Sequence, residues 1–188
     1  ARKISEEDSA EAAKLLKIIG DFERISDHAV NLLESVEEMR NKGLAFTDSA
    51  AAELSVLSRA VDEILELSLA AFLEDDLQSA SRVEPLEQVI DRLKEQMRTR
   101  HILRLQQGLC SIDAGFIWSD LLTDLERTSD HCSNIAGCVI DMAQAQHNMN
   151  LHESLRSIRN DSEDFRREFQ AYANRYTLLK ETETLLPN

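Results

Sequence analysis

Three pairs of carboxylates in this chain share one spacing: Glu23 with Asp27, Glu87 with Asp91, and Glu126 with Asp130. Residues four apart sit on one helix face, about 5–6 Å between Cβ atoms, where like charges repel by a few tenths of a kcal/mol. Bringing two such pairs together across a helix seam costs more unless a cation neutralises them. Hard or borderline divalent and trivalent ions favour oxygen clusters of this kind. The chemistry indicated is metal binding by carboxylates, at two sites, one per repeat. The competing explanation is a solvated acidic face, because an acidic chain makes such pairs by chance; Asp120 and Asp124 form one.

Recurrence favours the sharper reading. Two of the pairs lie in a near-duplicate dodecamer, DFERISDHAVNL at 21–32 and DLERTSDHCSNI at 124–135, 103 positions apart. The copies share Glu, Arg, Ser, Asp, His and Asn in the same order. At about 100° per residue, Glu23, Asp27 and Asn31 form a column beside an apolar stripe of Leu15, Ile18, Phe22, Ile25, Ala29, Leu33 and Val36. Glu126, Asp130 and Asn134 stand in the same relation to Trp118, Leu121, Leu125, Cys132, Ala136 and Val139. Glu87 and Asp91 flank Leu86, Ile90, Leu93 and Met97 on that same side. Arg24 and Arg127 are placed to pair with a carboxylate. His28 and His131 lie one step off the column, better placed to support or cap a ligand than to bind metal directly. Ser26 and Ser129 read as helix-contact positions.

Long helices must position these groups. The spacing predicts five, over about 6–41, 48–73, 76–107, 113–146 and 149–179. Ser5 with Asp8 reads as a capping box, TDS at 47–49 as a helix start, and Gly43 and Gly108 as helix ends. Pro85 suggests that the third helix starts later, near Ser81 or Val83. Five Gly and two Pro leave few breakers. Short links make neighbouring helices antiparallel, so the expected fold is all-α: an elongated up-and-down bundle of about five helices in a single domain, 1–188. The repeat divides it into a first unit, about 6–108, and an incomplete second, about 111–188.

The totals exclude other classes. The net charge of −14 repels nucleic acid and anionic lipid, and basic residues are scattered among more numerous acids. The one basic stretch, RLKEQMRTRHILR at 92–104, is better explained by pairing with acidic neighbours. Cys110, Cys132 and Cys138 form no CxxC pair, which favours a reducing compartment, with Cys132 and Cys138 small core residues. No apolar run reaches the roughly 18 residues of a membrane span, and no signal peptide opens the chain. The start at ARKISEED is compatible with a piece of a longer protein. The Glu-x-x-His pairs of di-metal oxidases are absent. So are a nucleophile constellation, a phosphate loop and zinc spacing, and an enzyme is not expected.

The two dodecamers resemble the LERIGDHAxNI signature of PhoU-like proteins, and VEPLEQVIDRLKEQM resembles the (E/D)xx(V/I)DxL helix of that family. The run from 100 to 136 is similar to the C-terminal PhoU-like region of bacterial sodium/phosphate cotransporters. The resemblance spans about 10–145. It implies an α-bundle of three-helix repeats and regulation of phosphate uptake at the cytoplasmic face of the membrane. It also implies metal clusters (iron, zinc, manganese or nickel) on Glu23, Asp27, Glu87, Asp91, Glu126 and Asp130. The partner it implies is a membrane transporter domain of the same or another polypeptide, with a homo-oligomer as a further arrangement and no nucleic acid. The alternatives are a free-standing PhoU-type regulator and a metal-free helical adaptor. Ser26 and Thr128–Ser129 depart from the signature where it carries glycine.

Overall fold

The computed structural model describes residues 5–146 and 151–179. Its elements are α1 (Glu6–Lys42), α2 (Asp48–Leu73), α3 (Leu77–Gln106), α4 (Ile112–Gln146) and α5 (Leu151–Arg175), with no strand among the described residues. The expected all-α bundle is what forms.

Local chemistry sets the ends. Ser5 accepts from the Asp8 amide at 3.0 Å while Asp8 accepts from the Ser5 amide at 3.2 Å, a reciprocal cap for α1. Gly43 closes that helix at φ 63°, where a Cβ would be strained. Thr47 caps α2, and Asp76 caps α3 through the amides of Gln78 and Ser79. The Asp76 cap starts α3 earlier than Pro85 suggests. Proline, lacking an N–H, sits inside the helix and is itself buried.

Helices α2, α3 and α4 enclose the main core. Leu57, Ile64, Leu86, Ile90, Met97 and Trp118 are all fully buried, each stabilising the fold by about 1.5–3 kcal/mol or more. Trp118 meets Phe46 edge-on at 5.0 Å and stacks on His101 at 5.7 Å, with the Arg104 guanidinium over its ring. Burial and Arg104 hold His101 below the ordinary histidine range. Arg104 reaches across to Glu53 of α2 with a bidentate contact of 3.1 and 2.9 Å, and Arg100 joins at 3.0 Å. The basic stretch is therefore spent largely inside the bundle. Helix α5 runs along α3, with Tyr172 and Tyr176 buried there and Arg175 paired to Glu63 of α2 at 2.8 Å.

Helix α1 has α4 as its only helical neighbour among the described elements, apart from the Phe72 ring of α2, which meets Phe22 at 5.4 Å. This changes the expected stripe of α1. Ile18 is fully buried and Phe22 and Ile25 partly so, but Leu15, Ala29, Leu33 and Val36 are exposed. One neighbour covers one side of a helix, whereas the stripe is wide enough for more.

Candidate functional site: two seams along α4

The dodecamers pair with each other. Helices α1 and α4 run antiparallel so that the first residue of each copy meets the eighth and eleventh of the other. His28 Nδ1 lies 2.8 Å from Asp124 Oδ1, and Asn31 Nδ2 donates to the same oxygen at 3.1 Å. In mirror fashion His131 Nδ1 lies 2.9 Å from Asp21 Oδ1, and Asn134 Nδ2 donates at 3.3 Å. An ionised carboxylate only accepts, so each imidazole donates from Nδ1. The two rings stack at 5.7 Å across the local two-fold. Asp21, Asp124 and His131 are buried, and Asp21 Oδ2 has no hydrogen-bond partner. Hydrogen bonds to a charged group contribute about 1.5–3 kcal/mol each. The repeat thus builds a self-complementary helix pair.

This is the use of the repeat that the carboxylate spacing did not reveal. Asp124 reads as one half of a chance pair with Asp120, and Asp21 as an unremarked first position. The available signal was an Asp opening both copies, seven residues ahead of a His, in helices that can meet antiparallel.

The other seam of α4 faces α3 and collects charge of one sign. Glu87 is half-buried, and its carboxyl is pushed up to about 7, first by burial and then by Glu84, Asp130, Asp91 and Glu126. Asp130 is also raised, by burial and Glu126, against the pull of Arg127 and Lys94. Lys94 pairs with Glu126 at 2.8 Å, Arg127 stands 3.9 Å from Asp130, and Ser133 donates to Glu84 at 2.6 Å. Of the six candidate metal ligands, Asp91, Glu126 and Asp130 are therefore close enough to act on a fourth, Glu87. The other two, Glu23 and Asp27, stand apart on the exposed side of α1.

A hard cation suits the α3–α4 donor set. Every group is a carboxylate oxygen, and the Glu87 carboxyl is raised first by burial and then by the four neighbouring carboxylates, which a cation would offset. Among the described residues, no three His, Cys, Asp or Glu side chains converge closely enough to hold an ion as they stand. The serines hold their own helix: Ser26 Oγ donates to Phe22 O at 3.1 Å and Ser129 Oγ to Glu126 O at 2.8 Å. Cys132 and Cys138 are buried, and burial pushes the Cys132 thiol up to about 11.

Residues 54–139 match the family model described as the PhoU domain. That segment runs from within α2 to within α4 and closes just past the second dodecamer. A Thermotoga maritima protein named phosphate-specific transport system accessory protein PhoU homolog 1 is 27% identical over 149 residues, 79% of this chain and 62% of that protein. An uncharacterized protein of Deinococcus radiodurans is 27% identical over 137 residues, 72% of this chain and 49% of that protein. The match thus spans about half to three fifths of the length of these relatives. No solved structure matches it.

Proposed function

We propose that this chain is a PhoU-like regulatory domain that modulates phosphate uptake, and that it serves a sodium-dependent phosphate cotransporter at the cytoplasmic face of the membrane. The observation that carries the reading is the PhoU-domain match across 54–139, ending on the helix that bears the LERTSDHC dodecamer. The cotransporter assignment rests on the resemblance of 100–136 to the cytosolic region of such transporters. No helix among the described residues is long and apolar enough to cross a membrane. On this reading the transport path belongs to other segments, and the helical bundle acts on them by contact.

In the same proposal, the α3–α4 carboxylates Glu87, Asp91, Glu126 and Asp130 hold a divalent or trivalent metal ion, iron, zinc, manganese or nickel. Bound there, the ion would supply the positive charge that the seam lacks. Glu23 and Asp27 form half of a second site, completed by a partner of α1. The test is phosphate uptake by cells expressing Asp27→Ala/Asp130→Ala, with elemental analysis of the purified protein beside a Glu87/Asp91/Glu126/Asp130 alanine variant. Altered uptake with an intact thermal transition is expected, together with metal lost from the variant. Unchanged uptake would remove these residues from regulation, and a metal-free wild type after reconstitution would leave a helical adaptor.

One observation favours a second reading. The Thermotoga maritima relative is named an accessory protein of a phosphate-specific transport system, which fits a free-standing regulator. Fractionating native cells separates the two. A membrane-integral band carrying this chain supports the cotransporter, and a peripheral band of bundle size supports the accessory protein.

A further inference from the structure

Helices α3 and α4 run antiparallel, with Lys94 set against Glu126 at 2.8 Å and the His101 ring stacked on that of Trp118 at 5.7 Å. Arg98 lies one turn along α3 from Lys94 and so falls between those two contacts, opposite the stretch of α4 that carries Ser119 and Thr123. Both helices line a groove here of about 450 Å³, with Ile102 and Leu122 as its aliphatic walls. Sites for small molecules run from about 300 to 1,000 Å³.

The groove departs from the chain around it. The protein carries a net charge of −14, yet the charged side chains of this lining are Lys94 and Arg98, with no carboxylate among them. The Lys94 ammonium has three N–H donors and meets one carboxylate, Glu126. Arg98 is 69% exposed and comes no nearer to Glu95 than 4.0 Å. Deeper in the groove, Trp118 is 1% exposed and its Nε1 has no hydrogen-bond partner, nor has His101 Nε2. Buried polar groups of folded proteins are paired as a rule. His101 Nε2 is turned to the α4 backbone, 3.0 Å from where a Cβ on Gly115 would stand, so the indole N–H is the donor left over. Thr123 Oγ1 donates to Ser119 O at 2.8 Å, which leaves Ser119 Oγ as the hydroxyl able to donate elsewhere.

We propose that this groove binds a small anion carrying a phosphate group, gripped by Lys94 and Arg98, with Ser119 Oγ and the Trp118 N–H as further donors and any organic part lying along Ile102. A phosphate offers more acceptor oxygens than a carboxylate, and an arginine fork meets two of them at once. The choice of phosphate rests also on the reading of the chain as a regulator of phosphate uptake, which the site would let the bundle sense directly. Lys94 is shared with the carboxylate seam through Glu126, so an anion here draws on a charge that otherwise serves that seam.

Trp118 is the chain's one tryptophan, so its fluorescence reports on this groove. The chain is titrated at low ionic strength with inorganic phosphate, AMP and adenosine, with EDTA present so that no metal bridges phosphate to the neighbouring carboxylates. Calorimetry of the same mixtures keeps a silent emission from passing as absence of binding. Inorganic phosphate or AMP should bind with a Kd below about 1 mM, more weakly as salt rises. Arg98→Gln should weaken binding by about tenfold or more, and Ser119→Ala by less. Arg167→Gln makes the same charge change at an exposed arginine of α5 and should leave the affinity unchanged. A response to inorganic phosphate makes free phosphate the ligand, and a response to AMP without one to inorganic phosphate makes it a nucleotide. No binding of either, adenosine binding as tightly as AMP, or an unchanged affinity in Arg98→Gln overturns the proposal. Binding and uptake are read separately. No binding with uptake that still depends on Asp130 removes the site and leaves the regulatory reading, whereas binding with unaltered uptake does the reverse.

Discussion

The two seams of α4 solve the same problem in opposite ways. Towards α1, each buried aspartate faces an imidazole and a carboxamide, and the carboxylate charge is met by two donors. Towards α3, Glu84, Glu87, Asp91, Glu126 and Asp130 gather around Lys94 and Arg127, and Glu87 holds its proton up to about pH 7. One seam is finished and acts as a latch; the other is left with excess negative charge. A satisfied polar group adds stability, whereas an under-compensated cluster lowers it.

The largest effect should come from breaking the finished seam. Asp21→Ala strands His131 and Asn134 in a mostly dry interface and should cost about 2–3 kcal/mol in urea denaturation. Because α1 packs mainly on α4 among the described elements, backbone amides of α1 should lose exchange protection before those of α3 do. In a double-mutant cycle with His131→Ala, the coupling should exceed about 1 kcal/mol. A coupling near zero would reduce the latch to a coincidence of packing.

How the sequence announced this molecule depends on the range of each interaction. Helix ends were legible because caps are local: Ser5, Asp8, Gly43 and Thr47 act within a few residues. Helix type was legible because the 3.6 period and the lack of breakers are local too. The stripes of α3 and α4 are buried as their spacing implied. The stripe of α1 is not, since periodicity marks a face that can be buried and says nothing of how many neighbours arrive. The latch was hidden for a related reason. Asp21 and His131 are 110 residues apart, and only the antiparallel pairing of α1 with α4 joins them. Carboxylate spacing along one helix pointed to Glu126 and Asp130. It could not show that α3 would bring Glu87 and Asp91 to the same seam, nor that Glu23 and Asp27 would face outward.

The unfinished seam should respond to pH with a definite sign. The folded Glu87 carboxyl titrates at about 7, whereas an unperturbed one titrates at 4.5. Between those values the folded state binds more protons than the unfolded state, so stability falls as pH rises and the loss is complete above pH 7. Discounted for a half-exposed group, the loss is about 1–2 kcal/mol. Glu87→Gln should recover it at pH 8 and flatten the pH profile between 5 and 7, roughly the interval between the two pKa values. A bound divalent ion should do the same for the wild type. At a hundred times its dissociation constant it adds about 2.7 kcal/mol, and Glu87→Gln/Asp130→Asn should forfeit most of that gain. If metal raises the transition of both proteins equally, the ion binds elsewhere.

The smallest effect expected is at Lys94, and it sharpens the contrast from the other direction. Lys94 is mostly buried against Glu126 and pulls Asp130 down. Lys94→Met keeps the aliphatic packing and removes that charge, so Asp130 should rise further and stability at pH 8 should fall by about 1 kcal/mol at low salt, less as salt screens the seam. The corresponding change on the α1 side does not exist, because the latch is held by donors that sit directly on the aspartates. Combined with Glu87→Gln, Lys94→Met should cost less than it does alone, since one repelling carboxylate has gone. Equal costs in the two backgrounds would mean that the carboxylates titrate independently. The α3–α4 seam would then be a solvated acidic face, and the case for a cation there would lose its electrostatic ground.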